Sequence, residues 1–164
     1  MSITDVLDKS HVLVMQAVDN LPETQWDMPG VCGDWSVKDI IAHLTAYEVL
    51  LRDALKTFLG SEPTHYLLAF ANNSRDHFNA AAVEGHRYAT AQQIEDDYNE
   101  VQMQTTALLA QIPAEKAAQK GAIPWRGGPL SLDELVNRLA AHTCEHCEQI
   151  RRFRERTRDE DIPI

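Results

Sequence analysis

Apolar positions recur at helical spacing along most of the chain, and no stretch alternates apolar and polar residues long enough to compel a strand. From Ile3 to Leu21 the apolar side is Val6, Leu7, Val14, Ala17, Val18 and Leu21, and Pro22 marks its end. A loop follows, "PETQWDMPGVCGDW", whose prolines, glycines and two tryptophans predict a segment that packs down as a lid or plug. A second long helix begins at Ser36, with Asp39 at the capping-box position and Trp35 able to staple onto Ile40, and Gly60 stops it. The third starts where Thr90 and Gln93 repeat that arrangement and continues through Ile94, Tyr98, Val101, Leu108 and Leu109 to Pro113. The fourth starts at Ser131, boxed by Glu134 with Leu130 and Leu135 as staple, and runs to about Arg156.

About thirty residues separate the second and third long helices, too many for a tight antiparallel turn. A crossover is implied, part of it helical over Asn73 to Glu84. The expected fold is all-α: a four-helix bundle of up-down-down-up topology, a single domain over residues 1–164.

Composition narrows the function classes. With 44% apolar and 24% charged residues, the chain has the make-up of an ordinary globular protein. A net charge of -10 opposes the phosphate neutralisation that nucleic-acid binding needs. The arginines from Arg151 to Arg158 alternate with Glu155, Asp159, Glu160 and Asp161, as on a solvated helix end. No apolar run reaches the ~18 residues of a membrane span, and "MSITDVLDKS" has no signal-like core, so a cytoplasmic location is expected. Cys32, Cys144 and Cys147 are an odd set in a chain large enough to do without disulfides, and reduced thiols are expected.

The chemistry concentrates in "HTCEHCEQI". His142 and His146 lie one turn apart, about 40° on the helical wheel, within the stripe Leu135, Leu139, His142, His146, Ile150 and Phe153. Two imidazoles on an apolar face must be hydrogen-bonded, paired with carboxylates or bound to metal. His43, in the apolar setting of Ile40, Ile41, Leu44, Tyr47 and Leu51, is a third candidate, whereas His11, His65, His77 and His86 form no such pattern. Facing helices can bring three such rings together as an open site, and neutral imidazole suits Zn, Ni, Fe or Cu. The thiols do not join them: from His142, Cys144 is rotated by about 200° and Cys147 by about 140°. Cys147 reads as a small core residue and Cys144 as a packing residue against a neighbour or partner chain. A mid-helix C-x-x-C also lacks the helix N-terminus that a redox pair uses. Glu145 and Glu148 are solvated-face residues, either of which could support an imidazole N–H.

"GDWSVKDIIAHLTAYE", followed about a hundred residues later by "HTCEHCEQI", resembles the DinB-like superfamily of bacterial four-helix-bundle proteins. That group includes YfiT-like metal-dependent hydrolases and the metal-binding domain of mycothiol-dependent maleylpyruvate isomerases. The resemblance implies a divalent metal, Zn, Ni or Fe, on His43, His142 and His146. It also implies a homodimer, a small-molecule substrate and a low-molecular-weight thiol as a further cofactor. The expected activity is thiol S-transfer or hydrolysis on a small electrophile, with neither nucleic acid nor membrane as partner. Glu48, Tyr47 and Trp35 are candidate base or substrate-orienting groups, with Trp125 and Arg126 on the opposite rim. Two competing readings are a non-catalytic, stress-related binding protein using the same cavity, and a dimerising bundle whose buried histidines are satisfied by carboxylates.

Overall fold

The computed structural model describes residues 1–160; Asp161 of the basic-acidic tail lies outside the described residues. Among them the regular elements are helices: α1 (Ile3–Val18), α2 (Glu23–Trp26), α3 (Val37–Thr57), α4 (His65–Asn72), α5 (Arg75–Gly85), α6 (Ala91–Leu109), α7 (Ala114–Ala117) and α8 (Leu132–Glu160). The three expected capping boxes are formed. Ser36 Oγ accepts from Asp39 N while Asp39 Oδ2 accepts from Ser36 N, and Thr90 with Gln93 and Ser131 with Glu134 do the same. A fourth box, Ser2 with Asp5, opens α1.

Three segments depart from the sequence pattern. α1 ends at Val18, short of Leu21, and the following loop contains the single turn α2, whose Trp26 is buried and donates from its indole N–H to Leu21 O. The crossover holds two helices where one was expected. Thr64 caps α4 and Ser74 caps α5, each accepting from the backbone N–H three residues on. α7 adds one turn after Pro113.

α1 packs chiefly on α8 and α3 on α6, while α4 and α5 lie against α3. The core divides into two apolar clusters. One gathers Leu7, Leu51, Leu55, Leu67, Leu109 and Leu135; the other gathers Val14, Ile40, Ile41, Ile94, Tyr98 and Ile150. On each long helix, buried polar residues stand where one cluster gives way to the other: His11 on α1, Glu48 on α3, Thr105 on α6, His146 on α8. A polar layer thus crosses the bundle, and burial at that level carries a cost unless each group finds a partner.

Most of the basic end of α8 is exposed, as its composition implies, and Arg154 is half-buried. Arg154 donates to Ala17 O and Arg156 to Gly30 O, tying α8 to α1 and to the tryptophan loop, while Arg151 pairs with Glu148 and Glu155. No helix among the described residues is long and apolar enough to cross a membrane.

Candidate metal centre

His43, His142 and His146 converge, although the chain separates His43 from the other two by most of its length. His142 Nε2 lies 3.0 Å from His43 Nε2 and 3.1 Å from His146 Nε2, and the ligand atoms of all three fall within 4.8 Å of one another. The rings meet edge-on, with centroids 4.6–4.9 Å apart.

Hydrogen-bond chemistry tests whether the trio suits a cation. Gln149 Oε1 lies 2.8 Å from His146 Nδ1, and a carbonyl oxygen only accepts, so the proton sits on Nδ1 and the Nε2 lone pair turns toward His142. His142 Nε2 can carry one hydrogen, yet it faces a nitrogen on both sides. One proton would therefore have to serve three nitrogens; separately, His43 Nδ1 is buried with no hydrogen-bond partner among the described residues. A cation offers every lone pair a partner at once. Ligands ~2.05 Å from a tetrahedral ion stand about 3.3 Å apart, within a few tenths of an ångström of the two separations from His142.

The protonation states agree. Burial, then the charges of His142 and His146, pull His43 down to about 3. Burial, with smaller contributions from His146 and Arg75, brings His142 down to about 4. His146 is lowered by burial and partly restored by Gln149 and Glu145. Near neutral pH the rings are uncharged, the form that binds metal.

The surroundings fix these rings from several directions. His43 follows the α3 cap by two turns, and Trp35, just before that cap, lies against it at a ring separation of 4.9 Å. Trp35 is held by reciprocal backbone hydrogen bonds with Cys32 across a tight turn, where Gly33 adopts φ +57°, a left-handed conformation glycine tolerates. Tyr47, one turn beyond His43, meets both His43 and His142 edge-on at 5.0 Å. Its hydroxyl donates to Asn79 Oδ1 on α5, and burial holds its pKa above the ordinary value.

The histidines form the floor of a cavity of about 680 Å³, within the range of small-molecule sites. Trp35, Tyr47, Phe70 and Trp125 supply its aromatic wall, and Arg75, Asp76, Arg126 and Arg138 its charged wall. Trp125 lies tilted against Phe70 at a ring separation of 4.5 Å, and Arg126 donates to Asn73 O, so the loop before α8 closes onto the α4–α5 junction. Trp35, Tyr47, Trp125 and Arg126 therefore stand where the sequence places them.

Glu48 does not. Five residues beyond His43, it is rotated about 140° around α3, and it faces α1 and α6. There Oε1 accepts from His11 Nε2 at 3.0 Å and Oε2 from Thr105 Oγ1 at 3.0 Å. His11, which the sequence pattern left aside, is buried with it. The side-chain support for the His146 imidazole comes from Gln149, while Glu148 is occupied by Arg151 and Arg152. Cys147 is buried, which pushes its thiol up to about 12, and Cys144 is exposed; neither contributes to the histidine cluster.

A sequence profile of the DinB superfamily matches residues 7–150, spanning all three histidines. The chain belongs to the DinB superfamily. This DinB protein also shares its fold with a Streptococcus pneumoniae protein of known crystal structure, at a TM-score of 0.74 and 12% identity over 93% of this chain and 88% of that one. No curated protein matches it by sequence. The DinB assignment agrees with the helical architecture and with a site that could hold a metal ion.

Proposed function

We propose that this DinB protein is a divalent-metal-dependent enzyme that carries out thiol S-transfer or hydrolysis on a small electrophile. His43, His142 and His146 are its metal ligands, and Zn, Ni and Fe are the candidate ions. The reading also takes the four long helices as one domain of up-down-down-up topology, a sense consistent with the order in which each helix meets the two apolar clusters.

The observation that carries the proposal is the meeting of three uncharged imidazole nitrogens on the floor of a cavity large enough for a small molecule. A divalent ion there would supply Lewis-acid chemistry and lower the pKa of a thiol or water that reaches it. The protein's own groups do the rest. Gln149 sets the His146 tautomer, Trp35 and Tyr47 hold the His43 ring, and the aromatic wall excludes water from one side of the substrate. Tyr47, neutral and committed to Asn79, serves as a positioning group. In the transfer reaction the sulfur forms a bond to the electrophilic carbon, the leaving group departs with its electron pair, and the thiol proton passes to solvent; water replaces the thiol in hydrolysis.

The test is turnover of a chromogenic aryl halide with a panel of low-molecular-weight thiols, and of an aryl ester with water, before and after metal removal. Turnover that falls by about tenfold or more on chelation and returns with Zn, Ni or Fe is the expected result. A metal-loaded protein inactive on both reaction types, or one indifferent to chelation, would contradict the proposal.

A further inference from the structure

The charge on the cavity wall runs against the charge of the protein. The chain carries a net -10, yet the wall around the three histidines contains three arginines and a single carboxylate, Asp76. The arginines come from three places: Arg75 at the first position of α5, Arg126 in the loop before α8, and Arg138 one turn ahead of His142 on α8.

Four arginines elsewhere in the molecule are paired with carboxylates, while Arg154 and Arg156 bond to backbone carbonyls. Arg52 pairs with Asp53, Arg87 with Glu84, and Arg151 and Arg152 with Glu148. Among the described residues, Arg75, Arg126 and Arg138 have no carboxylate within ion-pair distance, and Arg126 is steadied only through its bond to Asn73 O. Guanidinium groups on a concave wall with low-dielectric aromatic neighbours concentrate anions and bind their oxygens in a fork-like geometry.

We propose that the molecule drawn to this site is a small organic oxyanion, a carboxylate or a phosphate ester. Arg75, Arg126 and Arg138 hold its charged end, and its carbon skeleton lies along Phe70 and Trp125 toward the histidines. The proposal rests on the reading of the cavity as a substrate site given above, and it adds the substrate class. One helical turn, about 6 Å, separates Arg138 from His142 along α8, so the oxyanion is set apart from the reacting atom. The arginines anchor the substrate and leave the chemistry to the far end.

The probes are benzoate, phenyl phosphate and the uncharged benzyl alcohol, titrated calorimetrically at low ionic strength into protein of measured metal content, with and without Zn. One or both anions bind about tenfold or more tightly than the alcohol, and whichever is tighter names the oxyanion. The double variant R75Q/R138Q loses that preference while keeping the wild-type metal content. These two side chains are exposed and, among the described residues, make no hydrogen bond, so the fold is preserved. Arg87→Gln, which removes one such charge outside the cavity, leaves the preference unchanged. Equal binding of the alcohol and the anions overturns the proposal, as does an anion preference that survives in R75Q/R138Q and vanishes when the metal is removed. Full metal uptake without anion preference sinks this proposal alone; failure to take up metal sinks the enzymatic reading and is scored separately.

Discussion

One buried histidine and a cluster of three, in which His43 and His146 are buried and His142 half-buried, share one level of the bundle and solve the same problem in opposite ways. His11, between α1, α3 and α6, finds a carboxylate: Glu48 accepts from it on one oxygen and from Thr105 on the other. His43, His142 and His146, between α3 and α8, find one another, and the nearest side-chain support is a single amide from Gln149. The first group is complete as protein. In the second, three ring nitrogens crowd one point, and His43 Nδ1 has no partner among the described residues. Imidazole burial alone is therefore a poor sign of metal binding; what distinguishes a ligand cluster is the lack of acceptors and carboxylates to satisfy it.

If that contrast holds, substitutions on the two sides separate metal binding from folding. The largest effect is expected at His142, whose Nε2 lies 3.0 and 3.1 Å from the Nε2 atoms of the other two: His142→Ala abolishes stoichiometric uptake of a divalent ion while the protein stays folded, as circular dichroism and elemental analysis check. On the other side, His11→Ala leaves Glu48 buried without its partner and costs about 3 kcal/mol. That loss corresponds to a melting temperature lowered by roughly 10 °C in a chain of this size. Its metal content stays at the wild-type level, and a loss of metal in this variant would break the comparison.

A third expectation concerns pH. In the folded, metal-free protein His43 and His142 lie well below their ordinary value of 6.5, so the unfolded chain takes up protons first as the solution is acidified. The stability they contribute is whole above about pH 6.5 and drains away as the pH falls toward 4 and 3. Thermal melts of metal-free protein should show this decline, and His43→Leu should flatten it. The smallest effect is expected from Gln149→Ala, which frees the His146 ring without removing a ligand. Metal affinity falls about tenfold and melting temperature of the metal-free protein changes little, so an unchanged affinity would show that ring packing alone orients the ligand.

The long helices were legible because their starts depend on local chemistry: a hydroxyl at the cap and an acid or amide three residues later are recognisable without tertiary context. The crossover was harder. α4 buries only Leu67 and Phe70, and α5 buries nothing, so neither shows a strong apolar stripe. Thr64 and Ser74 carried the available signal, as hydroxyl caps. The three histidines could be paired from helical geometry and family resemblance together. His11 was readable too, since Leu7, His11, Val14 and Val18 follow a 4-3-4 spacing on the buried side of α1. Glu48 was misplaced by its nearness to His43 along the chain, where rotation around the helix decides. Gln149 left no sequence trace, because which ring nitrogen of His146 needs a partner depends on the facing histidines.

The central claim is that the three histidines hold one divalent ion, and elemental analysis of protein purified without chelators measures it most directly. About one equivalent of Zn, Ni or Fe per chain in the wild type, retained in His11→Ala and lost in His142→Ala, is the predicted result. A wild-type protein that carries no metal and takes up none of these ions at micromolar concentration would contradict the account.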